Sequence, residues 1–407
     1  MFYADLHQLC SYPSLISKIN STDKVISNLY RFTVLDFYVN LLSGLAAGID
    51  MVLLDNDFSS KEIEILTGSK YNEKNISISS LKLDDLDDLI CRVKSSSSKL
   101  TMFTSGTTGV PKMIEHSVES LTRNIKSDNR FSENVWGFAY NPTHMAGIQV
   151  FFQAFLNKNT LVNIFGLSKQ DIFDSIEKFG ITHISATPTF FRLLVPSVTV
   201  FHTVKQITFG GEKSEKAFHL KVLEIFPEAK IRNVYASTEA GALFASTGDG
   251  FEIPDRIKEK VKIENGELYI HRSLLGKSNL FNNDISWYAT GDMVEFLDDH
   301  KQIFRILSRR SEMINVGGYK INPNEVESAI RNIDGVKESR VYGIPNSVLG
   351  NVLCADVVTY NKSLSETDIK KFLAACLQSF KVPRKIFFME EITISRTGKI
   401  ERKNVKR

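Results

Sequence analysis

Cysteine is scarce in this chain. Cys10, Cys91, Cys354 and Cys376 are the four among 407 residues, and they lie far apart with no CxxC pair. That spacing points to neither a zinc site nor a disulfide framework, and it suits a reducing compartment. An excess of one charge is also missing: 50 Lys plus Arg stand against 47 Asp plus Glu, for a formal charge of +3. Such a balance gives no reason to expect nucleic acid or an anionic membrane as partner. The one basic cluster is the tail from Lys399 to Arg407, which by itself reads as a solvated end. Long apolar runs are lacking too. The run ending in Ile49-Asp-Met-Val-Leu-Leu54 is too short to span a bilayer, and the opening MFYADLHQLC has no charged segment followed by an apolar one. The expectation is a soluble cytoplasmic protein with no membrane span.

What is present is material for a large core. At 407 residues and 43% hydrophobic composition, the chain exceeds what one core holds and should divide into two or more domains. Apolar residues recur at helical spacing from Val34 to Ala47, Gly48 stops the helix, and Met51 to Leu54 read as a buried strand. The pattern repeats at Ser168 to Gly180, a helix with a serine cap and a glycine stop that leads into the strand Thr182 to Ala186. A helix over Ala217 to Ile225 and strands at Gln206 to Phe209 and Lys230 to Tyr235 continue the alternation. This is α/β grammar: mostly parallel sheets flanked by helices. From about Gly266 the pattern changes to short β segments (Glu267 to Ile270, Trp287 to Ala289, Gln302 to Leu307), a small β subdomain. An α+β unit follows, with a helix over Asp368 to Phe380 whose face carries Ile369, Phe372, Leu373, Cys376, Leu377 and Phe380, then a strand over Lys385 to Met389. Charged residues near Arg309 to Glu312 suggest a boundary, giving domains 1–308 and 309–407. Ser95 to Ser98 reads as a short surface loop.

The segment Thr104-Ser-Gly-Thr-Thr-Gly-Val-Pro-Lys112 combines glycines, hydroxyls and a lysine. Gly106 and Gly109 let the backbone turn its amides toward an anion, Thr104, Ser105, Thr107 and Thr108 add hydroxyl donors, and Lys112 adds a mobile cation. The nucleotide-hydrolase spacing GxxxxGK[ST] does not fit, because Pro111 takes the second glycine position and Met113 the hydroxyl position. Alone, the segment is equally a Gly/Ser/Thr hairpin loop.

It is not alone. The segment resembles the signature of the adenylate-forming superfamily of acyl- and aryl-CoA synthetases, adenylation domains and luciferases. Further matches follow in order: Phe209-Gly-Gly-Glu212, Tyr235-Ala-Ser-Thr-Glu239, Tyr288-Ala-Thr-Gly-Asp292, RRSEMINVGGYKINPNEVE from Arg309 to Glu327, and Ser395-Arg-Thr-Gly-Lys-Ile400. The resemblance implies a large adenylation domain and a small, mobile C-terminal domain. It also implies ATP and Mg²⁺: the loop holds the β- and γ-phosphates, Glu239 helps hold the metal, and Thr238 donates to the α-phosphate. Tyr235 would stack on adenine, Gly210, Gly211 and Glu212 would bring backbone to the base, Asp292 would accept the ribose hydroxyls, and Arg309 would bind the ribose. Lys399 would bridge the carboxylate and the α-phosphate.

A second step is implied as well. The C-terminal domain would swing about a hinge near Ser311, where the family usually has Asp or Lys, withdraw Lys399, and present Gly317 and Gly318 to a thiol. That thiol is coenzyme A or a carrier-protein phosphopantetheine, so an acyl carrier protein is a candidate partner. His144, in Asn141-Pro-Thr-His-Met-Ala-Gly147, matches a gate beside the substrate carboxylate; alone it reads as a hydrogen-bonded structural histidine. No Asp stands between Tyr140 and Gln149 to pair with a substrate amine, which favours an uncharged acyl or aryl acid. Thr187-Pro-Thr-Phe-Phe191 fits a pocket wall or plain core. Only 103 residues precede the loop, so the first subdomain is expected to be abbreviated, which leaves a homodimer open. Three functions remain: a CoA ligase, a freestanding enzyme loading a carrier protein, and a catalytically silent nucleotide-binding protein. The retained set of Lys112, Glu239, Asp292, Arg309 and Lys399 argues against the last.

Overall fold

The computed structural model describes the chain apart from residues 69–70, 72–73, 105–111, 213, 215, 247–249, 279–280, 282–285, 299–301, 347–349, 361–362 and 394–407, and the side chain of Thr104. Two compact units form, one from residues 1–260 and 270–288, the other from 261–269 and 289–407. Two strands, Glu267–His271 and Trp287–Asp298, run from one unit into the other.

The first unit is built on two sheets. The larger has eight strands in the order Gly241–Ser246, Lys230–Ser237, Gln206–Gly210, His183–Ala186, Val135–Phe138, Thr160–Asn163, Tyr3–Ala4, Leu9–Cys10. Its inner neighbours are parallel and its outermost pairs antiparallel. The smaller sheet orders Asn28–Leu29, Met51–Leu53, Lys99–Thr104 and Lys112–Ser117, with only the last pair antiparallel.

The helices form where caps and apolar spacing agree. Val34–Ala46 starts at Thr33, whose side chain accepts from the Asp36 amide, and buries Leu35, Phe37, Tyr38, Leu41, Leu42 and Leu45. Lys169–Phe179 runs between the Ser168 cap and Gly180, which takes φ +62°, a left-handed stop that glycine adopts without strain. A stack of Tyr38 on Phe151, with ring centroids 4.0 Å apart and planes 5° from parallel, ties the first of these helices to Met145–Leu156. Among the described residues no helix is long and apolar enough to cross a membrane.

The second unit carries the strands Val261–Glu264 and Ile303–Arg309 and a three-stranded sheet of Val336–Asn346, Gly350–Thr359 and Lys385–Phe388. The helices Pro323–Arg331 and Glu366–Cys376 supply Val326, Ile330, Ile369 and Leu373 to its core. The last helix differs from its expected span. A capping box between Ser365 and Asp368 starts it at Glu366, and Leu377 turns extended, with φ −124° and ψ 157°, and ends it. Phe372 lies beside the Ile369–Leu373 stripe rather than on it and stays 42% exposed. Phe380, past the helix end, stacks on Tyr319 at 4.3 Å. Ser98 also departs from the surface-loop reading: it is buried and shares a hydrogen bond with Ser96.

Candidate functional site

In the first unit the site begins at an antiparallel hairpin. Strand Lys99–Thr104 pairs residue by residue with Lys112–Ser117, and Thr104 stands opposite Lys112. The hydroxyl- and glycine-rich segment is thus the connection of this hairpin. Ser105, Gly106, Thr107, Thr108 and Gly109 themselves lie outside the described residues, as does Lys399.

The returning strand alternates. Ile114 and His116 are buried, and Lys112, on the same face, is half-buried at the strand's start. His116 connects this strand to the Thr238–Glu239 turn: its Nε2 lies 2.7 Å from the Thr238 carbonyl oxygen and its Nδ1 3.2 Å from Ser120 Oγ. Burial pushes the His116 imidazole below its ordinary pKa, opposed in part by the bond to Thr238.

Further contacts hold the same turn. The Gly276 amide donates to the Glu239 carbonyl at 2.8 Å, while Glu115 and Lys277 exchange both backbone bonds at 2.8 and 2.7 Å. Gly276 has to be glycine for close approach. A Cβ there would come within 2.7 Å of His116 and of Ile114 and 2.8 Å of the Glu115 carbonyl. The Arg123 guanidinium donates to the Ala240 and Leu274 carbonyls, and the Asn124 amide to the Ala242 carbonyl. Ahead of the turn, the register of Lys230–Ser237 against Gly241–Ser246 shifts between Tyr235 and Ala236. Such an irregularity bends the strand and re-aims the residues after it. Glu239 is left half-buried, and among the described residues its carboxylate has no hydrogen bond or ion pair. An oxygen ligand of this kind suits a hard cation that takes its remaining ligands from phosphate and water. Among the described residues no cluster of three or more His, Cys, Asp or Glu side chains gathers to hold a metal by itself.

Tyr235 is buried, with Phe244 at 5.4 Å and Phe251 at 6.5 Å. Gly210 ends the strand Gln206–Gly210, close enough to Tyr140 that a Cβ would sit 3.0 Å from its hydroxyl, and Gly211 follows with φ +82°. Glu212 turns to the helix Pro188–Leu194, where it accepts from the Thr189 amide at 3.0 Å and its hydroxyl at 2.7 Å. A carboxylate on the first turn of a helix meets unpaired amides and the positive end of the dipole. Phe191 in that helix is core, set edge-on to Phe209 at 5.0 Å.

His144 caps the helix Met145–Leu156, and its Nε2 lies 2.8 Å from Asp55 Oδ2. Asp55, just past the strand Met51–Leu53, is 3% exposed. Burial would push its carboxyl up, but hydrogen bonds from His144 and from the Asp57 amide prevail and hold it below the usual carboxylate value. The Asn141–His144 turn is fixed by Asn141 Oδ1, which accepts from the Thr143 amide and hydroxyl at 3.0 and 2.8 Å. Gly147 lets that turn lie directly against the helix.

In the second unit Asp292 and Arg309 are cross-strand partners, and Arg309 Nε donates to Asp292 Oδ1 at 2.9 Å. Asp292 is 4% exposed. Within its strand Asp292 follows Gly291, whose φ of +77° favours glycine, and Glu267 accepts from the Gly291 amide at 3.0 Å and pairs with Arg310. Gly317 and Gly318, with φ of +58° and +87°, are the two-residue turn joining Ile314–Val316 to Tyr319–Ile321. Positive φ at both central positions is the glycine-rich hairpin turn whose twist matches the strands.

The structure therefore links the Thr238–Glu239 turn, through His116, to the strand that begins at Lys112, and pairs Asp292 with Arg309. His116, Asp55, Arg123, Asn124, Gly276 and Glu267 support these residues without belonging to any of the sequence motifs. Their partners are distant in the chain, 122 residues for His116 and Thr238 and 89 for Asp55 and His144. A buried histidine four residues beyond the loop lysine was the available signal for the first pair.

Known proteins are similar to this chain in sequence and in fold. A family model described as AMP-binding enzyme matches residues 40–266, and one described as AMP-binding enzyme C-terminal domain matches residues 325–399. A 2-succinylbenzoate–CoA ligase of Staphylococcus epidermidis is 27% identical over 75% of this chain and 69% of its own length. The 4-coumarate–CoA ligase-like 6 of Arabidopsis thaliana is 26% identical over 77% of this chain and 63% of its own. In fold, the chain is similar to the o-succinylbenzoate CoA synthetase of Bacillus subtilis solved with the acyl-adenylate intermediate, at TM-score 0.73 and 21% identity, covering 100% of this chain and 95% of that one. With a family model spanning more than half its length and a second covering the C-terminal region, the chain belongs to the AMP-binding enzymes.

Proposed function

We propose that this enzyme activates a carboxylic acid with ATP, releasing pyrophosphate, and passes the acyl group from the adenylate to a thiol, with coenzyme A as acceptor and an uncharged acyl or aryl acid as substrate. The observation that carries the reading is the linkage of Lys112 and the Thr238–Glu239 turn through one strand and His116. A cation that follows the hydroxyl-rich loop and an acidic turn whose carboxylate has no hydrogen-bond or ion-pair partner among the described residues are both suited to a place where charge develops on departing phosphates. Lys112 would neutralise the β- and γ-phosphates, Thr238 would donate to the α-phosphate, and Glu239 would hold Mg²⁺, which when bound screens phosphate charge. Tyr235 and the Gly210-Gly211-Glu212 backbone would take the adenine, and Asp292 and Arg309 the ribose.

His144, oriented by Asp55, would stand beside the substrate carboxylate. Asp55 is itself committed to His144 and the Asp57 amide. No Asp stands between Tyr140 and Gln149 to pair with a substrate ammonium, which supports an acid without an α-amine. Relatives similar in sequence include ligases named for aromatic acids and others named for a long-chain fatty acid and for oxalate, which keeps both the acyl and the aryl class open. Lys399 would bridge carboxylate and α-phosphate during adenylation. Rotation near Ser311 would then withdraw it and bring the Gly317–Gly318 turn to the thiol.

The test is a panel of aromatic, short-chain, long-chain and amino acids, each with ATP and Mg²⁺, followed by AMP release on addition of CoA or of phosphopantetheinylated carrier protein. Acid- and CoA-dependent AMP release is expected. Release with carrier protein alone would make the chain a loading enzyme, and no release with any acid would make it a silent nucleotide-binding protein.

A further inference from the structure

Three consecutive even-numbered carbonyls after the strand Lys230–Ser237 receive side-chain N–H groups from one short segment. Thr238 takes His116, Ala240 takes Arg123, and Ala242 takes Asn124. Segment 116–124 is thus a cradle for the backbone that presents Thr238 and Glu239. Of its members, His116 alone lies on the strand that begins at Lys112. It is 2% exposed and its ring is pressed by the Gly276 backbone, where a Cβ would meet Cε1 at 2.7 Å.

The hydrogen-bond chemistry fixes the ring's role. A carbonyl oxygen only accepts, so the 2.7 Å contact requires the proton on Nε2. Nδ1 then faces Ser120 Oγ at 3.2 Å, and that hydroxyl also lies 2.9 Å from the Ser117 carbonyl. We propose that His116 is a positioning residue for ATP and metal binding: as the Nε2–H tautomer it holds the Thr238 carbonyl, and so sets the Thr238–Glu239 turn at a fixed distance from Lys112. The inference rests on the proposed function, in which that turn and Lys112 grip the two sides of the same triphosphate. A merely structural histidine would affect stability alone. A positioning one changes how tightly MgATP and the metal are held, and it can be replaced by another side chain that donates from the same place.

The test compares wild type, His116→Gln and His116→Phe. Glutamine can place an amide N–H near the position of Nε2; phenylalanine keeps the ring and removes the donor. MgATP affinity is read by calorimetry on the full chain, Mg²⁺ dependence by titrating the metal at fixed ATP, and unfolding midpoints without nucleotide serve as control. His116→Phe is expected to weaken MgATP binding roughly tenfold and to raise the Mg²⁺ requirement. His116→Gln is expected to return to within about threefold of wild type. His116→Phe binding as wild type does, or His116→Gln binding as weakly as His116→Phe, overturns the inference. Should His116→Phe not fold, ¹⁵N chemical shifts of the wild-type histidine rings decide the matter, with the His116 signals identified by their loss in His116→Gln. The Nε2–H tautomer is expected and the Nδ1–H tautomer overturns the proposal. Wild-type protein that fails to bind MgATP removes the proposed function, whereas wild-type binding with an unaffected His116→Phe removes only the role of His116.

Discussion

Gly147→Ala sets two quantifiable effects against each other in the segment that would face the substrate. Gly147 lies in the first turn of the helix Met145–Leu156, and a Cβ there would sit 2.3 Å from the Asn141 carbonyl oxygen, 3.1 Å from its carbon and 3.2 Å from Pro142 Cα. Carbon–oxygen contacts close to about 3.3 Å, so the Asn141–His144 turn must retreat by about 1 Å. All three obstacles are backbone atoms, and no side-chain rotation relieves them. Alanine should favour the helix by about 0.8–1 kcal/mol, but overpacking of this kind costs about 1–3 kcal/mol. The retreat also strains the His144 amide bond to the Asn141 carbonyl, now 3.2 Å, and the 2.8 Å link to Asp55. Because every obstacle is backbone, the clash should win, for a net loss of up to about 2 kcal/mol. Both tryptophans, Trp136 and Trp287, belong to the first unit, so urea denaturation followed by their fluorescence reads the relevant stability. A lower urea midpoint is expected; an unchanged or raised midpoint would refute the argument.

Asp55→Asn should destabilise the first unit by about 1.5–3 kcal/mol, the range for a hydrogen bond to a charged group. The folded carboxyl lies below its usual value. The charged form therefore stabilises fully above the unfolded value of about 3.9 and stops doing so as pH falls through the folded value. The gap between variant and wild type should close below about pH 4 in acid titrations of stability, and a gap that widens there contradicts the assignment. Gly318→Val forces a branched side chain to φ +87°. It should cost about 1–3 kcal/mol of local stability and slow thioester formation more than adenylation, as measured by the two half-reactions separately. Lys399→Ala should block adenylation and largely spare thioester formation from supplied acyl-AMP; equal loss of both would count against a domain rotation.

Short-range features were readable from the chain alone. The Ser168 cap and Gly180 stop bound the helix they were expected to bound, because caps act over one turn. Thr104 and Lys112, the two ends of TSGTTGVPK, close a pair of antiparallel strands, and the residues between them lie outside the described ones. Less readable was the end of the helix Glu366–Cys376. An unbroken apolar series continues to Phe380, and the extended turn at Leu377 leaves no mark in that periodicity. Supporting residues were hidden for a different reason. His116, Asp55 and Glu267 serve groups reached only through sheet topology, and nothing local distinguishes them from other buried or loop residues. No acidic residue stands between Tyr140 and Gln149, and the carboxylate that meets His144 comes instead from Asp55, which follows a strand of the other sheet.

The central claim is that Lys112, Thr238, Glu239 and Lys399 serve the formation of an acyl-adenylate. Its most direct measurement is acid-dependent exchange of labelled pyrophosphate into ATP, with Mg²⁺ present and every thiol absent. Exchange is predicted with at least one uncharged aryl or acyl acid in the wild type, and its loss in Lys399→Ala. Wild-type protein that binds MgATP yet shows no exchange with any acid would contradict the claim.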